Sequence, residues 1–256
     1  FSLVLFFVLA GFNTQHVLAQ ADSQNVRGYQ EEADVRYENT LKGGVVGHTN
    51  GYGITVTYAK FQSKDANTLY GFDYLLALKH PKEAKVVNPG FDQANPYVFS
   101  RKNALMLARF GIGQQRQIAD KQESTGVRVD LNYTVGPNLG LLKPEYIEWL
   151  RNNGNSQRVK ETVRYRPQEE HRNQGQIYGG APYTRGIGEI EIQPGISAKA
   201  SLSFAWGDDD KKFKTIEAGI MADAFPRPMP IFHFEERQNK SIFVNLFASF
   251  SFGQHW

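Results

Sequence analysis

No cysteine occurs anywhere in the 256 residues. That excludes disulfides, thiolate metal sites and thiol chemistry, so stability must come from packing and backbone bonding. Charge of one sign is scarce too: 29 Lys and Arg stand against 26 Asp and Glu. A pI near 8.9 resting on a net charge of +3 gives no electrostatic footprint for nucleic acid, and none is expected as a partner. Mean hydropathy is −0.47, and past the N-terminus no apolar run reaches the length of about 18 residues that a membrane helix needs. A helical membrane protein is thereby excluded, but a β-barrel is not, because half of its strand positions and all of its loops are polar. Ordered catalytic motifs are missing as well. There is no HExxH, no GxSxG and no DxDxDG calcium loop. No cofactor or metal is expected, and no catalytic residues are assigned.

What is present begins with FSLVLFFVLAGF at residues 1–12, followed by polar residues and Val17-Leu18-Ala19. A compact apolar run with small or aliphatic residues three and one before a cut predicts a signal peptide over 1–19. Its missing initiating Met and basic region are what a truncated start would leave. Residues 20–36 are polar and are expected to form a flexible mature N-terminus.

From residue 37 the dominant signal is a period of two, the mark of a strand. The last sixteen residues place Ile242, Val244, Leu246, Ala248, Phe250, Phe252 and Trp256 on one parity. Asn245, Ser249, Ser251 and Gly253 lie on the other, together with the exceptions Phe243 and Phe247. The same alternation recurs over 52–62, 70–79, 105–113, 127–135, 196–206 and 215–223, and Leu105 and Leu107 blur one face of the fourth segment. A weaker, glycine-rich segment at 37–48 pairs with 52–62 through the Thr49-Asn50-Gly51 turn. Eight strands result, ten being the other even count considered. Apart from the first turn, short connections (63–67, 119–125, 207–211) alternate with long ones (81–102, 140–194, 226–240). Such alternation is the pattern of periplasmic turns and extracellular loops in a closed antiparallel up-and-down transmembrane β-barrel.

A soluble, lipocalin-like exported barrel binding an apolar ligand would show the same period with the faces reversed. Face composition favours the membrane form. The polar parity is mostly Gly, Ser, Thr, Asn and Ala with isolated charges, whereas the apolar parity is bulky, nearly charge-free, and carries Tyr52, Tyr58, Tyr70, Trp206 and Trp256 toward strand ends. The expected location is the bacterial outer membrane, with Phe250, Phe252 and Trp256 on the strand that closes the barrel.

Eight charges fall on the inward parity: Asp73, Lys79, Arg109, Arg128, Asp130, Lys199, Glu217 and Asp223. Four are positive and four negative. An eight-stranded lumen is just wide enough to be filled by side chains, and buried charges need partners, so mutual pairing is expected rather than an open pore. His48, His80 and His233, with Glu235 and Glu236 nearby, are expected at the extracellular rim, where such groups hold a metal or act as a base. Residues 151–173 are locally basic, with Arg151, Arg158, Lys160, Arg164, Arg166 and Arg172, and are expected to be an ordinary solvated loop, contact with lipopolysaccharide phosphates being the alternative. Residues 179–188 are expected as irregular chain returning to the sixth strand.

Several phrases resemble an uncharacterised family of small outer-membrane β-barrels of Bacteroidota. They are His80-Pro81-Lys82-Glu83, the run RFGIGQQR at 109–116, LGLLKP at 139–144 and GIMADAF at 219–225, with the Trp-terminated last strand. The resemblance spans about residues 38–256, implies the barrel fold, and transfers no activity. It ranks Arg109 and Asp223 first among the lumen residues for structural importance. The expected role is a non-enzymatic structural or docking component, as an accessory subunit of an export or outer-membrane assembly complex. Its partners would be outer-membrane lipid and lipopolysaccharide, the barrel assembly machinery during insertion, and other outer-membrane or periplasmic proteins. The alternative is a rim-active enzyme acting on lipid or surface peptide.

Overall fold

A computed structural model of the chain describes residues 38–63, 66–76, 85–91, 93–119, 126–152, 158–167, 171, 174–207, 211–233 and 239–256. The expected signal peptide (1–19) and mature N-terminus (20–36) lie outside the described residues, as do Lys79, His80, Glu235 and Glu236. Thirteen strands are described: β1 Asn39–His48, β2 Gly51–Ser63, β3 Ala66–Leu76, β4 Lys85–Val86, β5 Tyr97–Val98, β6 Asn103–Ala119, β7 Arg128–Pro144, β8 Tyr146–Asn152, β9 Arg158–Arg164, β10 Ile177–Gly180, β11 Glu191–Trp206, β12 Lys212–Ala224 and β13 Ile242–His255.

Eight of them close into a barrel in the order β1-β13-β12-β11-β7-β6-β3-β2, every neighbour antiparallel. This is the expected all-β closed up-and-down barrel of eight strands. The seal is made by the first and last strands, in register from Thr40 opposite His255 to His48 opposite Phe247. At its end the amides of Asn39 and Trp256 each donate to the other's carbonyl at 3.0 Å. Closure leaves no strand edge in the wall, so its backbone groups are satisfied inside the ring.

Up-and-down order sorts the connections by end. The two-residue turn at 49–50 and the long connections 77–102, 145–190 and 225–241 leave one end; the connections at 64–65, 120–127 and 207–211 leave the other. Side-chain parity follows the alternation. Val45, Ile54, Val135, Ile196, Ile220, Val244 and Leu246 point outward and are about half exposed or more, while Thr55, Asp73, Asn132, Ser201, Glu217 and Ser249 point inward and are buried.

Two strands, β7 and β11, run past the expected limits at the long-loop end and stand beside the start of β6 there. β6 and β7 each hold 17 residues and β11 holds 16, so they continue as a raised wall at the long-loop end. Inside that wall Leu105, Leu107 and Leu142 are buried and meet Phe225, Met229, Ile231 and Phe232, which the β12–β13 connection folds back into the barrel mouth. Val46, Leu75, Met221 and Phe247 complete this apolar plug, with Phe243 packed on it, so the two inward phenylalanines of β13 are plug residues. The returning segment is tied down by its backbone. Lys102 N–H donates to Ile231 O at 2.7 Å, and Asn239 Oδ1 accepts from the amides of Ile231 (3.0 Å) and Phe232 (2.9 Å). Gly140 makes room for it, because a Cβ there would stand 2.2 Å from Met229 Cε.

The long connections hold more strand than expected. Residues 140–144 belong to β7 and 191–194 to β11. Between them β8, β9 and β10 form a three-stranded sheet in the order β10-β8-β9, and β4 pairs with β5 in the earlier connection. The basic stretch expected as solvated loop is therefore strand over 158–164, paired residue for residue with β8 from Tyr146 opposite Arg164 to Asn152 opposite Arg158. Its charges hid it: the strand's order comes from pairing with β8, not from an apolar face of its own. Gly179 and Gly180, at the start of the stretch expected as irregular return, are the end of β10. Tyr97, Ile147, Tyr165 and Ile177 form a second small core in this cap, with Val86, Trp149 and Val163 against it. Gly179 and Gly180 permit its closest approach, since Cβ atoms there would stand 2.6 Å from Asn95 O and 2.8 Å from Pro96 O.

Replacing Gly140 by Val is expected to expel Met229 and Phe225 from the mouth while leaving the wall closed. Limited proteolysis with mass mapping should then show faster cleavage within 225–241, and an unchanged cleavage rate would refute this account of the plug.

Candidate functional site

The polar interior below the plug is the only densely charged region inside the wall among the described residues, and three connected groups make it up. Arg109 from β6 reaches across the lumen to Asp223 on β12, its Nε donating to Oδ1 at 2.7 Å and its Nη2 pairing with Oδ2. Asn138 on β7 donates its amide to the same Oδ1 at 2.8 Å, and Arg109 Nη1 lies 2.8 Å from Met221 Sδ. β6 and β12 are not neighbours in the ring, so this bidentate pair braces two walls rather than two adjacent strands.

The second group is a chain. Glu217 on β12 accepts from Lys42 of β1 at 3.0 Å, from Lys199 of β11 at 3.1 Å, and from the Ser201 hydroxyl at 2.7 Å. Lys199 also faces Asp73 of β3 at 3.9 Å and lies 4.5 Å from the centre of the Phe247 ring. Nearest the short-turn end, Asp130 accepts from Arg128 Nε at 3.0 Å and from Gln115 Nε2 at 2.9 Å. The structure thus brings seven of the eight sequence-derived charges into pairs, and the eighth, Lys79, is outside the described residues. Lys42 takes part without having been expected. Its parity was hidden by the Gly43-Gly44 that follow it, although counting back from His48 would have placed it inward.

Four cations and four carboxylates balance in this interior: Lys42, Arg109, Arg128 and Lys199 against Asp73, Asp130, Glu217 and Asp223. Each ion buried in a low-dielectric space costs several kcal/mol unless paired and hydrogen-bonded, and here every one has a partner within 4.0 Å. The cavity left among them is about 30 Å³, room for one or two water molecules. No substrate fits there, and the apolar plug seals the long-loop side.

The two described rim histidines, His48 and His233, sit in different surroundings. His48 faces inward at the end of β1, where its Nδ1 accepts from Asn50 N–H at 3.3 Å. His233 sits in the cap, with its Nε2 at 3.0 Å from Tyr165 O and its ring edge-on to the Tyr165 ring. Among the described residues no group of three or more His, Asp or Glu is arranged to hold a metal ion.

Residues that the sequence did not single out organise the cap instead. Tyr165 is almost fully buried, stacks with His171, and its hydroxyl accepts from Ser100 N–H at 3.3 Å. Ser100 holds a positive φ of 66°, and its hydroxyl is buried without a partner. It is fully enclosed, so it offers no nucleophile to a substrate. His171 Nδ1 accepts from Arg166 N–H at 2.9 Å and its ring meets Trp149 at 4.8 Å. No periodic signal marks any of these residues, because each is fixed by loop packing.

No protein-family model matches the chain, and no curated protein matches it. Solved structures similar to it include Ail, the attachment invasion locus protein of Yersinia pestis, at 11% identity over 87% of this chain and 100% of that one, with a TM-score of 0.43. Neisserial surface protein A follows at 8% identity, 85% and 95% coverage and a TM-score of 0.39. The N-terminal β-barrel domain of Pseudomonas aeruginosa OprF shows 6% identity, 86% and 98% coverage and a TM-score of 0.37. At that identity and score these likenesses say nothing about what this chain binds.

Two outcomes follow from this geometry. Arg109→Met leaves Asp223 buried with only Asn138 as partner, and should cost about 3–5 kcal/mol in urea unfolding. The double variant Arg109→Met with Asp223→Leu should recover a large part of that loss, and no recovery would show that the pair is not the brace described. In the cap, burial pushes the Tyr165 phenol up to about 12. A raised folded-state value means cap stability is full below about pH 10, the phenol's ordinary value, and falls as pH rises from there through about 12. Phenolate absorbance against pH should show a late-titrating component, and Tyr165→Phe should reduce it by one tyrosine.

Proposed function

We propose that the chain is an integral β-barrel of the bacterial outer membrane that works as a non-enzymatic docking component. One observation carries this: the barrel is inverted relative to a water-soluble one. Outward rows of Val, Ile, Leu, Phe and Tyr stand exposed all around the wall, while the ion pairs are inside. A continuous apolar belt is far larger than the few hundred Å² that soluble monomers tolerate, and lipid chains are the solvent that suits it. A lipocalin-like ligand binder needs the reverse, an apolar cavity, and the 30 Å³ left in this charged interior supplies none.

Orientation follows from the connections. The short turns and the Trp256 end would face the periplasm, and the cap of β4–β5 and β8–β10 would face outward. The interior is committed to its own pairs and the mouth is plugged, which leaves surfaces rather than a pore or a catalytic centre to do the work. The ordered cap is the natural contact for a protein partner, in keeping with an accessory role in an export or assembly complex. Lipid and lipopolysaccharide would meet the belt and the assembly machinery would act during insertion, and the proposal places the chain, on its sequence phrases, among the small outer-membrane barrels of Bacteroidota.

Cell fractionation should place the protein in outer membranes, and on gels it should migrate faster unheated than boiled. Recovery as soluble periplasmic material would overturn the membrane reading. Purification in mild detergent should co-isolate a stoichiometric partner that is lost when Arg158, Lys160 and Arg164 on the exposed strand β9 are replaced by Ser. Retention of the partner in that variant would remove the cap from the proposal.

A further inference from the structure

One stretch of the outward belt is concave. The register lays outward side chains in rows across neighbouring strands: Gly43 on β1, Phe252 on β13, Lys214 on β12 and Trp206 on β11 share one row. Leu41, Gln254 and Lys212 share the next, toward the short-turn end, and Val45, Phe250, Ile216 and Phe204 share the next toward the belt's middle. In the first row Gly43 contributes no side chain, and a Cβ built there would have its nearest neighbour, Thr55 O, 3.9 Å away. Trp256 leans across β1 to within 6.3 Å of the Tyr58 ring. Between these walls lies a groove of about 730 Å³ whose apolar lining includes Leu41, Phe252, Trp206 and Trp256 and whose polar side holds Lys212 and Lys214.

Two features give the groove a chemistry. Its volume is in the range of sites that hold a small ligand, roughly 300–1,000 Å³. Both lysines are exposed and make no ion pair among the described residues. They also mark a boundary, because the row above them is wholly apolar and tryptophans flank them, which is the side-chain order found at headgroup depth. We propose that this groove is a phospholipid site, with one acyl chain lying over Gly43 between Trp206 and Trp256 and the phosphate on Lys212 and Lys214. The proposal rests on the membrane reading above. Lipopolysaccharide carries phosphates too, but the groove is at the short-turn end, away from the cap, and so faces the phospholipid leaflet.

The test uses the full chain purified in mild detergent, with phosphatidylglycerol as the titrated lipid and native mass spectrometry as the readout. One lipid should remain bound per barrel. Gly43→Leu fills the groove, and the pair Lys212→Gln with Lys214→Gln removes the phosphate contacts. Each is expected to weaken retention about tenfold or more, whereas Ile196→Ala, in the belt but away from the groove, should not change it. Equal retention by all four proteins would overturn the site and leave only general lipid contact. Should Gly43→Leu lose its heat-dependent gel shift, the lysine variant, whose changes lie wholly on the surface, still decides the matter. A chain that fails to enter membranes refutes the membrane reading itself, whereas a membrane-inserted barrel with equal retention refutes the lipid site alone.

Discussion

Closing eight strands into a ring sets the width of the lumen, and that width governs everything inside it. There is room for side chains to meet across the interior but not for a water column to solvate them. Inward charges must then find partners among the lumen's own side chains: Arg109 of β6 with Asp223 of β12, Lys199 of β11 with Glu217 of β12 and Asp73 of β3, and Arg128 with Asp130 within β7. A wider ring would relax these pairs into solvated residues, and a ring that failed to seal at Asn39 and Trp256 would let water separate them. The backbone closure and the charge pairing are therefore one constraint seen at two scales.

The same closure explains why the barrel mouth is apolar where its middle is polar. Above the belt β6, β7 and β11 pair with one another but rise past β3 and β12, so their inner faces need cover from something other than an opposing strand. The β12–β13 connection provides it, placing Met229 and Phe232 against Leu105, Leu107 and Leu142. Once that segment is fixed, Ile231 O and Ser100 O hold the start of β6 and the turn before it, through Lys102 N–H and His233 N–H, and the cap builds outward from there.

The period of two made the wall legible, because each wall strand separates one lipid-like or exposed face from one packed face. It stopped working wherever both faces are covered. Leu105, Met106 and Leu107 are all buried, the first and third in the plug and the second beneath the phenol groups of Tyr74 and Tyr183, so the alternation blurs at the point where β6 rises above the belt. Lys42 was lost for a different reason: two glycines beside it carry no side chain from which parity could be read. The cap was invisible because β8 and β9 are short and charged, and Tyr165, His171 and Ser100 hold it together through ring contacts and one hydrogen bond to a phenol. Such contacts join residues far apart in sequence and leave no local pattern.

A barrel that uses its interior to hold itself together has given up the interior as a working site. Of the eight inward charges in the described wall, none is left without a partner, so none is available to carry an ion or activate a water without first breaking the brace that keeps the wall round. Adaptable chemistry is confined to places where the ring imposes no pairing: the cap, whose β9 is an outer strand of its sheet, and the belt, whose gap at Gly43 lies beside two lysines that make no ion pair among the described residues. Both are surfaces, and on the proposed reading one faces water and the other lipid. On the proposed reading, the stiffness of the wall is what lets each be presented in a fixed position relative to the bilayer, as a docking component needs.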